Sequence, residues 1–137
     1  MDSEHITMIG AGLAGPVMAS YLAELGYSIE IHEKRHDMRL VEQSAGRSIN
    51  LALSKRGINA LKDIGVFEKI KPMMMPMVGR MIHERDGNLH LQKYGQKSSE
   101  VIYSISRAFL NKTLMDHAET KGEVDITFSH PVEKVDL

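Results

Sequence analysis

The chain has 137 residues, 42% apolar and 26% charged, with a formal net charge of −1. That is enough for one domain with a real core and too little for two. The near-neutral balance gives no basic footprint for nucleic acid or an anionic membrane surface. No cysteine is present, which excludes disulfides, thiolate catalysis and cysteine-based zinc sites and agrees with a reducing compartment.

In chain order, residues 5–9 (HITMI) read as a buried strand, 13–25 as a helix stopped by Gly26, and 28–32 (SIEIH) as a second strand. This is a strand–helix–strand unit of the size of a βαβ crossover. Residues 34–48 are charged and aperiodic and read as a long loop. A helix starts after Ser54, a candidate N-cap, and runs to Ile64, with Gly65 as its stop. Pro72 and Pro76 mark an irregular connection around the methionine-rich run 73–77, read as flexible apolar packing. Residues 78–83 and 88–93 flank Asp86-Gly87, a strong hairpin signal. Residues 101–105 read as a strand, and Ser106 caps a helix from 107 to about 120 with Leu110, Leu114 and Ala118 on one stripe. Residues 124–128 and 132–137 read as strands. The expected class is α/β, a Rossmann-like FAD/NAD(P)-binding domain with an inserted antiparallel β layer. The first apolar run, Ile6 to Ile9, is too short for a signal sequence, and no window approaches the roughly 20 apolar residues of a membrane helix. The chain stops on what reads as a strand, which suggests a fragment of a longer protein.

Gly10-Ala11-Gly12-Leu13-Ala14-Gly15 matches G-x-G-x-x-G between a strand and a helix. A pyrophosphate needs the free N–H groups and positive dipole end of a helix N-terminus. Gly10 permits the tight turn, Gly12 lets phosphates approach the backbone, and Gly15 lets the helix pack on the sheet. Pro16 falls in the first helical turn, where a missing N–H costs little. Glu33 ends the second strand, where a carboxylate accepts hydrogen bonds from ribose hydroxyls and repels a 2′-phosphate. The bland alternative is a solvated residue in a charged loop. FAD and NAD are not distinguished by these residues alone. His32-Glu33-Lys34-Arg35-His36 has the letters of H-E-x-x-H but runs from the second strand into the charged loop rather than along a helix, so no metal site is expected, and no serine sits in G-x-S-x-G.

Three further segments carry a resemblance: Arg47-Ser48-Ile49-Asn50-Leu51-Ala52-Leu53-Ser54 with Arg56-Gly57; Gly79-Arg80-Met81-Ile82-His83 with Asp86-Gly87-Asn88 and Tyr94-Gly95-Gln96; and Tyr103-Ser104-Ile105-Ser106-Arg107 with Leu110-Asn111. From about residue 6 to about residue 115 the chain resembles the kynurenine 3-monooxygenase family of class A flavin-dependent hydroxylases. The resemblance implies tightly bound FAD, NADPH as a transient co-substrate, oxygen, and L-kynurenine hydroxylated to 3-hydroxykynurenine. The flavin carries the hard chemistry, so no protein nucleophile is needed. It implies that Gly10, Gly12, Leu13, Ala14 and Gly15 meet the cofactor phosphates, that Glu33, Lys34 and Arg35 surround the ribose, that Ala52 lies beside the flavin, that Arg107 contacts the cofactor, and that the Val132 backbone meets the adenine. Arg80 and Tyr94 match the positions that hold the substrate carboxylate. For Arg107 the bland alternative is a salt bridge with Glu42 or Asp116. Val78 departs from the pattern, where a basic residue is expected. The family's second cofactor motif, a Gly-Asp pair, and most of its substrate domain are absent from residues 1–137, so the chain reads as the N-terminal FAD-binding part, inactive alone. The alternatives are another FAD-dependent hydroxylase or a non-catalytic dinucleotide-binding module. The expected location is cytoplasmic, with the mitochondrial outer membrane as the alternative if an anchor follows.

Overall fold

The computed structural model describes residues 4–41, 49–97 and 99–136. Its elements are β1 (His5–Ile9), α1 (Ala14–Glu24), β2 (Ser28–His32), β3 (Asn50–Leu53), α2 (Lys55–Asp63), α3 (Phe67–Ile70), β4 (Met75–Met77), β5 (Gly79–His83), β6 (Leu89–Lys93), β7 (Ile102–Ser106), α4 (Arg107–Glu119) and β8 (Val124–Thr127). The class is α/β. A parallel sheet has the order β1-β2-β8, an antiparallel sheet the order β3-β7-β4, and β5-β6 form a hairpin.

β2 is the centre of the parallel sheet, and its Ile29 and Ile31 are fully buried. They pack with Ala19 of α1, Met115 and Ala118 of α4, and Val124 of β8. β1, expected to be buried, instead alternates exposed and half-buried positions because it sits at the sheet edge. A second core gathers Leu61, Ile64, Val66, Ile70 and Ile105 against Leu110 and Leu114. α4 therefore serves both cores. The expected single stripe divides, with Leu110 and Leu114 on one side and Ala118 with Met115 on the other. Its start is as expected: the Ser106 hydroxyl accepts from the Phe109 N–H at 3.4 Å. Ser54 stands at the N-cap of α2 but makes no side-chain cap bond.

Further expectations change. β3 and α3 form where no element was expected. Pro76 lies in β4, whose edge position tolerates a missing N–H. Of the methionine run, Met73 and Met75 are exposed and Met74 packs on the second core. Residues 130–136 form no strand: β8 ends at Thr127, Ser129 takes a left-handed φ of 55°, and Pro131 follows. Residues 34–41 contain no helix or strand, and 42–48 lie outside the described residues, as do Glu42 and Arg47-Ser48.

His117 is buried on α4, and its Nε2–H donates to the Ile64 carbonyl at 2.7 Å. A carbonyl only accepts, so Nε2 carries the proton, and Nδ1 is left buried without a partner among the described residues. Burial holds this imidazole below its usual pKa of 6.5. The unfolded chain therefore takes up the proton first, and stability declines as pH falls below about 6.5. His117→Gln keeps a donor for Ile64 and removes the titration. Its melting temperature should fall less than that of the wild type between about pH 7.5 and about pH 5.5; equal falls would refute the assignment.

Candidate functional site

β1 and β2 are parallel neighbours, so their C-terminal ends open on one edge. Ligands of open α/β sheets bind beyond that edge. Leaving β1, Gly10 takes φ +95°, and its N–H donates to the His32 carbonyl at 2.8 Å, pinning the turn to the end of β2. A Cβ on Gly15 would stand 2.2 Å from the Gly10 carbonyl oxygen, so α1 lies directly on this turn. Gly12 is different: a Cβ there would meet nothing within 4 Å. At the helix start Leu13 gives no side-chain cap, which leaves the first-turn N–H groups to a ligand. Space at Gly12 and an uncapped helix N-terminus are what a cofactor diphosphate requires.

Glu33 is only 4% exposed, not a solvated loop residue. Its Oε1 accepts from the Arg35 N–H at 2.9 Å and Arg35 Nε at 2.7 Å. Its Oε2 accepts from the Ala11 N–H at 2.9 Å and Arg35 Nη2 at 3.1 Å. The Arg35 guanidinium, helped by the two backbone N–H groups and opposed by burial, holds the carboxyl at a pKa of about 2. The same pairing raises the pKa of Arg35. Glu33 thus ties the glycine loop to the end of β2, with its acceptor positions occupied.

A groove of about 340 Å³ runs past this edge, within the usual range for ligand sites. Gly10, Gly12, Glu33, Lys34 and Arg35 line one side, and His130, Pro131 and Val132 line the other. The second wall is held in place by the segment that follows β2: the Ser129 N–H donates to the Arg35 carbonyl at 3.0 Å and the His130 N–H to the Glu33 carbonyl at 2.9 Å. The His32 and His130 rings lie 4.7 Å apart inside it. Neither histidine was expected here, nor was Pro131, because only the tertiary fold brings residue 130 beside residue 32.

Leu13, Ala14 and Gly15 adjoin the groove at the start of α1. Ala52 and Arg107 do not line it. Ala52 is exposed on β3 opposite Ser104, and Arg107 is exposed at the start of α4, its N–H donating to the Ile49 carbonyl at 3.0 Å. The alternative Arg107–Asp116 bridge does not form. Asp116 belongs instead to Arg39, which also binds Asp37 and Glu119 and lies 5.3 Å over the Phe128 ring. The Arg39 side chain is 20% exposed and joins the segment after β2 to α4. The pairing lowers the pKa of Asp37 and raises that of Arg39.

Arg80 stands opposite Gln92 in the hairpin, and its Nε donates to Gln92 Oε1 at 2.6 Å. Tyr94 follows β6, with its N–H donating to the Val78 carbonyl at 3.1 Å. Strand alternation puts Tyr94 on the face of Gln92, and so on that of Arg80. Both residues are exposed. Gln92 was not anticipated; its place between them follows from the register. Among the described residues no group of three His, Asp or Glu could hold a metal ion, and no helix is long and apolar enough to cross a membrane.

A parallel strand–turn–helix–strand with a glycine turn, a free helix N-terminus and a buried carboxylate at the second strand defines a dinucleotide-binding domain. The chain belongs to the FAD binding domain family, whose pattern matches residues 4–136. It is 43% identical over 134 residues to a kynurenine 3-monooxygenase of Legionella pneumophila (strain Corby), covering 98% of this chain and 30% of that protein. It is 44% identical over 135 residues to a kynurenine 3-monooxygenase of Stenotrophomonas maltophilia (strain K279a), again covering 98% and 30%. The chain thus spans less than a third of the length of these relatives. In fold it is similar to p-nitrophenol 4-monooxygenase PnpA from Pseudomonas putida DLL-E4, with a TM-score of 0.77 at 17% identity over 98% of this chain and 34% of the other.

Proposed function

We propose that this chain is the N-terminal FAD-binding part of an enzyme that hydroxylates L-kynurenine to 3-hydroxykynurenine with NADPH and oxygen. The observation that carries the reading is the 43% identity to a kynurenine 3-monooxygenase along 98% of the chain. Bound FAD would accept hydride from NADPH and activate oxygen; the protein's part is to bind, orient and exclude water.

In this reading the diphosphate sits on the N–H groups of Gly12, Leu13 and Ala14. The ribose hydroxyls donate to Glu33 as the Arg35 side chain, 59% exposed, swings off it. Lys34 flanks the ribose and the Val132 backbone meets the adenine. β3-β7-β4 and the hairpin are the inserted antiparallel layer, carrying Ala52 beside the flavin and Arg80 with Tyr94 on the substrate carboxylate. Gln92 holds Arg80 Nε, which leaves the terminal guanidinium nitrogens for that carboxylate. Arg107 contacts the cofactor from the start of α4. The enzyme is cytoplasmic in this reading, with the mitochondrial outer membrane as the alternative, and residues 1–137 alone turn nothing over.

The test is flavin reduction by NADPH in the full-length gene product, with and without kynurenine. Kynurenine should accelerate reduction, and Arg80→Ala should weaken its binding about 10- to 100-fold through loss of a charge-assisted pair. Flavin reduction indifferent to kynurenine in the wild type would overturn the substrate and keep the FAD site.

A further inference from the structure

Asn111 is a buried polar residue, 6% exposed, to which neither the fold nor the groove lining assigns a role. Its Nδ2 donates to the Ala11 carbonyl at 3.0 Å from one hundred residues away. Its other neighbours are the sulfurs of Met38 at 3.3 Å and Met115 at 3.8 Å, both weak acceptors. Among the described residues the Ala11 carbonyl is therefore the one strong acceptor that this amide meets. Ala11, 1% exposed, is thus held on both sides: Glu33 takes its N–H and Asn111 its carbonyl.

We infer that Asn111 is a positioning residue that, with Glu33, sets the peptide planes of the glycine loop toward the cofactor diphosphate. The peptide between Ala11 and Gly12 is planar and trans, so its C=O and N–H point in opposite directions. Drawing the Ala11 oxygen onto Asn111 turns the Gly12 N–H away from α4, and Gly12 lines the groove. By the same rule, drawing the Ala11 N–H onto Glu33 turns the Gly10 oxygen away, and that oxygen lies against Gly15. The clamp stores the loop in its binding shape, so no reordering is needed when an anion arrives.

The inference rests on the groove being the FAD site, and the test separates the two. ADP and adenosine are titrated against the full-length wild-type protein freed of flavin and its Asn111→Leu variant, and amide exchange is followed at Ala11 and at Ile31 in β2. ADP affinity should fall about tenfold or more while adenosine changes less than about twofold. Ala11 exchange should accelerate with Ile31 unchanged. Parallel losses of both ligands, or an unchanged ADP affinity, would overturn the clamp. If the wild type binds neither ligand, the FAD reading fails, and an Ala11 amide that exchanges no faster in the variant rejects the clamp by itself. Should Asn111→Leu not fold, Asn111→Ala replaces it.

Discussion

Gly15→Ala will cost the domain about 3 kcal/mol or more and lower its melting temperature by about 10 °C or more, whereas Gly12→Ala will leave the melting temperature within about 2 °C and abolish FAD binding. The contrast comes from what each new methyl would meet. At Gly15 it meets a backbone oxygen at 2.2 Å, far inside contact distance. That oxygen cannot give way, because the turn bearing it is held by Gly10 on His32 and by Ala11 on Glu33 and Asn111. At Gly12 the methyl meets no protein atom within 4 Å, so the fold is indifferent, and the methyl fills the space that a phosphate needs. Thermal melts and FAD titration of both variants check this. Destabilisation by Gly12→Ala would mean that the loop does not have the shape described.

Glu33→Gln should destabilise the domain by about 2–4 kcal/mol, since its new NH2 group must face the Arg35 guanidinium or the Ala11 N–H, donor against donor. The wild type should show the same interaction through acid. The folded pKa of about 2 lies below the usual 4.5, so the unfolded chain binds the proton first. The contribution is complete above about pH 4.5 and is lost as pH falls toward 2. It amounts to about 2 kcal/mol once discounted for the exposed Arg35 head. Urea midpoints at about pH 6 and about pH 3 should drop more steeply in the wild type than in Glu33→Gln. Parallel drops would mean that the Glu33 ion pair carries no stability. This window lies below that of His117, so the two titrations separate.

The β1–α1–β2 unit was legible because its signals are local: a period of two, a helix bounded by glycines, and a glycine pattern between strand and helix. The Ser106 cap and the Asp86-Gly87 hairpin are local in the same way. β3 and β4, of four and three residues, are too short to show a period, and each exists because β7 lies beside it. The same limit applies to the site. Glu33 could be placed by spacing, but the groove's second wall at His130 and the hold of Asn111 on the Ala11 carbonyl could not, since these residues come beside the glycine loop only through β8 and α4. The charged segment after β2 looked solvated, yet Arg39 gathers Asp37, Asp116 and Glu119 there; charge composition does not reveal which charges converge. α4 looked like a one-faced helix because Ala118 stands four residues after Leu114 and reads as part of the leucine stripe, although it packs with Met115 in the other core.

The sheet order β1-β2-β8 also sets the order of events during synthesis. β2 and Glu33 leave the ribosome early, but the strand that covers their other flank begins at Val124, and the groove's second wall at His130. At usual elongation rates that interval is roughly 5–20 s. Throughout it the central strand has one open edge, with Ile29 and Ile31 not yet covered by α4. The nascent chain must wait for residues 107–132 before it has a nucleotide site at all, and its exposure to chaperones and to mispairing is concentrated in that interval.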